Sequence, residues 1–261
     1  MDKILITGAS TGIGATYAER LARRGHGLVL VARDAVRLEA LAARLRGEAG
    51  VHVEVLAADL TAKADLLRIE RRLREDATID GLVNNAGVAS LGPIAGGDPD
   101  RLEAMVELNV LAMTRLAAAA ATAFAARKRG TIINIGSVLG LAPERTNAVY
   151  AGSKAFVLAF TQSLNQEIGA SGVRVQAVLP GATRTDIWEK AGRPVASLPP
   201  EMVMEVAEMV DAALAGFDAG ELVTIPSLPD PADWAALEEA RLRLGPNLSR
   251  SQAAGRFKVA A

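Results

Sequence analysis

The sequence predicts an α/β protein built on a single doubly wound parallel sheet with helices on both faces. Three observations predict it. Short apolar runs closed by Gly, Pro or polar residues recur along the chain and read as buried strands. Between them lie stretches of helical periodicity long enough to serve as crossovers. Right-handed crossovers then leave little except a parallel sheet covered on both sides. With 261 residues, 50% of them hydrophobic, the chain suits one such domain with a sizeable core.

The first unit is the strand Lys3 to Thr7, which runs into Gly8, Ala9, Ser10, Thr11, Gly12, Ile13 and Gly14 and then a helix from Ala15 to Arg24. Glycines permit positive φ and close approach of a ligand, and the helix start offers N–H groups and a positive dipole end to a phosphate. The loop lacks the Lys-Ser/Thr pair of a triphosphatase loop, and its G-x-x-x-G-x-G spacing differs from the usual dinucleotide G-x-G-x-x-G. Taken alone, it is equally an ordinary turn.

The remaining elements follow in order. Strands are expected at 27–32, 51–57, 81–84, 131–135, 173–179 and 222–225. Helices are expected at 35–47, 62–75, about 100–127, about 148–170, 201–217 and 231–244, with Thr61 as a helix N-cap. Residues 1–244 form one domain in this reading, including a substrate loop at about 181–200 whose stretch 193–200 reads as a mobile lid; 245–261 form a tail.

A formal net charge of −1 gives no electrostatic case for nucleic acid, and the Arg-rich stretches 68–74 and 127–129 read as solvated helix faces and ends. The chain has no cysteine, which excludes disulfides, thiolate metal sites and a Cys nucleophile, and its two histidines, His26 and His52, suggest neither a triad nor a metal site. With a strand beginning at Lys3, no signal peptide is expected. No apolar run reaches the roughly eighteen residues a membrane helix needs, so no membrane partner is expected and the location reads as cytoplasmic.

Ligands of doubly wound sheets sit beyond the carboxyl ends of the strands. Those ends carry the Gly8–Gly14 loop, Arg33, Asp59, the stretch Asn84 to Gly87, Ser137 and Pro180-Gly181. Their convergence on one edge points to a bound dinucleotide. Tyr150 and Lys154, four apart at the start of the helix after the fifth strand, share a face near that edge. A tyrosine hydroxyl titrates near about pH 10, so acid–base work at neutrality needs roughly 3 to 4 kcal/mol of help. Lys154 is the cation at hand, and Ser137 could hold a substrate oxygen against the phenol.

These residues resemble the short-chain dehydrogenases/reductases. The likeness rests on Thr7 to Gly14, Asp59, Asn84 to Gly87, Asn109, Ser137, Tyr150-Ala-Gly-Ser-Lys154 and Pro180 to Thr185, in order and normally spaced over about residues 3–185. It implies a Rossmann-type fold and a catalytic tetrad of Asn109, Ser137, Tyr150 and Lys154. In that tetrad Tyr150 transfers the proton, Ser137 orients the carbonyl, Lys154 binds the nicotinamide ribose and Asn109 holds a relay water. It further implies that Gly8, Ser10, Thr11, Gly12, Ile13 and Gly14 cradle the cofactor. Asp59 with Leu60 would meet the adenine, and Asn85, Ala86 and Gly87 the ribose. Pro180, Gly181, Thr183 and Thr185 would cover the nicotinamide. Thr183 departs from the family's more usual Val or Ile.

An acidic residue ending the second strand marks NAD in the family, whereas this chain has Ala32 followed by Arg33. A guanidinium suits a 2′-phosphate, with Arg37 one turn on, so NADP is expected ahead of NAD; the alternative is a solvent-facing Arg33 with Asp34 on the ribose. Val88 to Leu91, Leu139 to Asn147, Ile187 and Trp188 should wall an apolar pocket for a carbonyl or alcohol substrate. The long helices suggest a homodimer or homotetramer. A non-catalytic dinucleotide sensor and an NAD-dependent alcohol dehydrogenase are the alternatives.

Overall fold

The computed structural model describes residues 2–90, 92–192 and 194–257. It divides into two compact units, Met1–Pro226 and Ser227–Ala261.

In the first unit the order is β1 (Lys3–Thr7), α1 (Gly12–Arg23), β2 (Gly27–Ala32), α2 (Ala35–Ala49), β3 (Val53–Ala57), α3 (Lys63–Glu75), β4 (Ile79–Asn84), α4 (Pro99–Val106), a π-helical turn (Glu107–Ala112) and α5 (Met113–Arg127). β5 (Gly130–Ile135), α6 (Ala148–Ile168), β6 (Val173–Val178), α7 (Ile187–Lys190), α8 (Val206–Asp218) and β7 (Val223–Thr224) complete it. The strands form a seven-stranded sheet in the order β3-β2-β1-β4-β5-β6-β7, every neighbouring pair parallel. Strand order reverses beside β1, which places the glycine loop at the switch point where such sheets bind ligands.

Alternation along the strands builds two cores. Ile4, Ile6, Leu28 and Leu30 face α1, α2 and α8, where they meet Tyr17, Leu21, Leu38 and Val210. Leu5, Val29, Val31 and Leu82 point the other way, onto Leu66, Ile69 and Leu73 of α3 and Leu116 and Phe124 of α5. The free edge of β3 is closed by arginines: Arg46 Nε donates to the Val53 carbonyl at 3.0 Å and Arg68 to that of Ala57 at 2.6 Å, while Arg72 pairs with Glu54. Part of the cluster expected to be solvated therefore guards a sheet edge.

Pro99–Arg127 forms one helical stretch of 29 residues whose best 18-residue window has a mean hydropathy of 1.4, long and apolar enough by length and composition to cross a membrane. More than half of that window is buried inside the protein, because the small Ala side chains let α5 lie close on the sheet. The helix expected from 201 begins only at Val206, and β7 is two residues long. Met204 forms instead a bridge with Thr183.

The second unit contains α9 (Pro231–Leu242), capped by Asp230, which accepts from Ala232 N–H at 2.8 Å. Single 3₁₀ turns at Gly245–Asn247 and Gly255–Phe257 follow.

Candidate active site

The loops after β1 and β4 are stitched together. Thr7 Oγ1 accepts from the N–H groups of Asn85 (2.9 Å) and Ala86 (3.0 Å), and Asn85 Nδ2 donates to the carbonyls of Thr7 (2.9 Å) and Gly8 (3.2 Å). The Asn85 amide thus holds the glycine loop in place. Gly8 has φ +65°, and a Cβ there would sit 2.8 Å from Asn85 Nδ2; one on Gly14 would run into the Gly8 carbonyl oxygen. Gly12, at φ +54°, opens α1, whose N-cap Thr11 makes no side-chain cap bond, so the first N–H groups of the helix have no side-chain acceptor. Ser10, Thr11 and Ile13 are half-buried beside it.

At the end of β2, Arg33 is exposed and has no hydrogen-bond or ion-pair partner among the described residues. Asp34 is the N-cap of α2, accepting from Arg37 N–H at 3.0 Å, so the alternative reading of Asp34 as a ribose ligand meets a carboxylate already engaged. Arg37 lies 3.4 Å from Asp34 and 3.7 Å from Asp186. At the end of β3, Asp59 Oδ1 accepts from the N–H and hydroxyl of Thr61, at 3.0 and 2.7 Å, and Leu60 is buried. Thr61 therefore serves an Asx turn, and Ala62, not Thr61, stands at the N-cap of α3.

Ser137, Tyr150 and Lys154 meet at the ends of β5 and α6. Ser137 Oγ accepts from Leu139 N–H at 3.2 Å and donates to the Pro180 carbonyl at 3.5 Å. Lys154 Nζ donates to the Ile135 carbonyl at 3.0 Å and stands 5.8 Å from the centre of the Tyr150 ring. A Cβ on Gly87 would lie 3.6 Å from that Nζ and 3.2 Å from Asn109 Oδ1, so the Asn85–Gly87 loop closes the same corner. Burial pushes the Tyr150 hydroxyl above its usual range while the Ser137 hydrogen bond pulls it back, and burial brings the Lys154 ammonium down to about 8.

Asn109 lies in the π-helical turn, 2% exposed. Its amide donates to the Val88 carbonyl (2.9 Å) and to Ser153 Oγ (3.2 Å) and accepts from Val88 N–H (2.9 Å). Both amide protons are thus engaged by protein.

Pro180 accepts from Val138 N–H at 3.0 Å. The segment after it folds back over the glycine loop, its Thr185 methyl carbon 3.1 Å from where a Gly12 Cβ would be. Thr183 Oγ1 donates to the Gly181 carbonyl at 3.1 Å, and Trp188 Nε1 to the Thr183 carbonyl at 2.8 Å. Of the expected lid, Val195 is buried within a 3₁₀ turn, Val195–Ser197; Arg193, and Leu91 of the expected pocket wall, lie outside the described residues.

Three positioning residues escaped the sequence reading. Ser153 donates to the Tyr150 carbonyl at 2.8 Å while accepting from Asn109. Asn147 caps α6, accepting from Val149 and Tyr150 N–H, and donates to the Gly92 carbonyl at 2.6 Å. Gly140 lets the turn Val138–Gly140 lie flat on α6, since a Cβ would stand 2.8 Å from the Lys154 carbonyl carbon. Only Asn147 carried a signal, an Asx residue directly before a helical run.

This arrangement fits a dinucleotide. Among the described residues, a helix start without a side-chain cap faces the switch point, a guanidinium without a partner stands at the end of β2, and a buried ammonium with one bond to protein stands beside a tyrosine and a serine. Fold and site together define an α/β oxidoreductase architecture. The short chain dehydrogenase family model matches residues 2–195, and the chain belongs to that family. A short-chain dehydrogenase from Sphingobium yanoikuyae, solved in complex with NADPH, is 57% identical, with a TM-score of 0.96 over 99% of this chain and 100% of that one. The bulky-bulky ketone specific alcohol dehydrogenase from Comamonas testosteroni is 50% identical, with a TM-score of 0.91 over 98% of each chain. An uncharacterized oxidoreductase of Staphylococcus saprophyticus is 36% identical over 188 residues, 71% of this chain and 80% of its own.

Proposed function

We propose that this protein is an NADP(H)-dependent oxidoreductase that interconverts a carbonyl and an alcohol, with Tyr150 as proton donor and acceptor. The observation that carries this reading is the convergence of Ser137, Tyr150 and the buried Lys154 ammonium at the ends of β5 and α6. The NADPH complex of the Sphingobium relative and the unpartnered Arg33 support NADP over NAD. The bulky-bulky ketone specificity of the Comamonas enzyme supports ketones with two bulky substituents as the substrate class.

In this reading the Gly8–Gly14 loop and the start of α1 hold the diphosphate, Arg33 and Arg37 the 2′-phosphate, and Asp59 and Leu60 the adenine. Asn85 to Gly87 line a ribose, Lys154 binds the nicotinamide ribose, and Pro180 to Thr185 flank the ring. The bound cofactor supplies a hydride or, oxidised, accepts one and adds a positive charge to the site. Ser137 holds the substrate oxygen. Tyr150 gives that oxygen its proton as the carbonyl becomes a hydroxyl, and takes it back in the reverse direction. Asn109 is a positioning residue, fixing Val88 and, through Ser153, the first turn of α6. A cytoplasmic location and assembly as a homodimer or homotetramer through α5 and α6 complete the proposal.

The test is Tyr150→Phe, assayed with bulky ketones and NADPH. Turnover should fall at least about a hundredfold, the scale of a lost general acid, while NADPH affinity stays near wild type. Substantial turnover in that variant would remove Tyr150 from its proposed role.

A further inference from the structure

Arg37 is shared between carboxylates on two segments far apart in sequence. Its Nε lies 3.4 Å from Asp34 Oδ2 and its Nη1 3.7 Å from Asp186 Oδ2. Asp34 is committed to α2 as its N-cap. Asp186 has no such duty: it precedes α7 without making a side-chain cap bond, and among the described residues its ion-pair partner is Arg37. Its neighbour Thr185 rests against Gly12, which seats this segment on the glycine loop. Two arginines, Arg33 and Arg37, thus share their corner with two aspartates, and the corner is formally neutral.

We propose that Asp186 is a specificity-determining residue of the cofactor site, competing with the 2′-phosphate of NADP for Arg37 and so restraining the preference for NADP over NAD. This rests on the reading of Arg33 and Arg37 as the phosphate's partners. A phosphate monoester carries nearly two negative charges at neutral pH and draws on the same Nη1 that now leans on Asp186. The separation exceeds a hydrogen bond and both side chains are more than half exposed, so the aspartate is a weak competitor, displaced at modest cost. The uncharged 2′-hydroxyl of NAD gains nothing when Asp186 is removed.

Dissociation constants of NADPH and NADH, measured by titration calorimetry on Asp186→Asn, Arg37→Ala and the double variant, test this directly. Asp186→Asn should tighten NADPH about two- to fivefold, the range of an exposed ion pair, and leave NADH unchanged. The gain should shrink between about 0.05 and about 0.5 M salt, and vanish in the Arg37→Ala background. An equal change for both cofactors, or a gain that survives without Arg37, overturns the proposal while leaving the NADP reading intact. Equal weakening of NADPH and NADH by Arg33→Ala and by Arg37→Ala overturns that reading and the proposal with it.

Discussion

Asn109 and Ser153 are joined side chain to side chain by a 3.2 Å hydrogen bond that crosses from the π-helical turn to α6. Because Ser153 also donates to the Tyr150 carbonyl, the bond links the helix carrying Asn109 to the turn that presents the phenol. Ser153→Ala should lose about 1 kcal/mol, the net worth of a typical hydrogen bond, and Asn109→Ala about 1–3 kcal/mol, because it also leaves both Val88 backbone groups without their partner. Urea unfolding of the two single variants and the double one should show coupling of at least about 0.5 kcal/mol. Strict additivity would mean that the two helices are not tied here.

Lys154 gives the protein a distinct pH signature. Its proton is held at about 8 in the folded chain against an ordinary value of 10.5. Below about pH 8 both folded and unfolded chains carry the charge, and the fold bears the full cost of burying it. Between these values the unfolded chain holds the proton and the folded one has released it, so this residue's contribution moves toward stability as pH rises, by about 3 kcal/mol in all. Cofactor-free wild type should therefore gain on Lys154→Met over that interval. Parallel stability curves for the two proteins would contradict the assignment.

Gly140 has no left-handed φ to protect, yet its replacement should be costly. A Cβ would meet the backbone of Lys154 and Ala155 at 2.8 Å, and helix backbone cannot move aside as a side-chain tip can. Gly140→Ala should lose about 1–3 kcal/mol, the range of overpacked sites, by thermal or urea unfolding. It should also disturb Ser137, which lies at the other end of that turn.

Tyr17 offers the opposite sign. It is 0% exposed, its hydroxyl has no hydrogen-bond partner among the described residues, and burial drives that hydroxyl upward in pKa. Tyr17→Phe removes an unsatisfied buried polar atom without changing the ring, so stability should stay level or rise by about 1 kcal/mol. A loss of more than about 1 kcal/mol would mean that the hydroxyl has a partner after all.

The sequence by itself determined the alternation of strands and helices and the pairing of Tyr150 with Lys154 on one helix face. It also placed the loops at the carboxyl edge of the sheet, because period, glycine placement and four-residue spacing are local properties. Tertiary structure alone decided which polar atoms were already engaged. Asn109 faces Val88 and Ser153, and Asp186 reaches Arg37 across about 150 residues of chain; each contact depends on where a distant segment lands. It also decided the protonation of the central pair, since the desolvation that raises the Tyr150 phenol and lowers the Lys154 ammonium exists only once both sheet faces are covered.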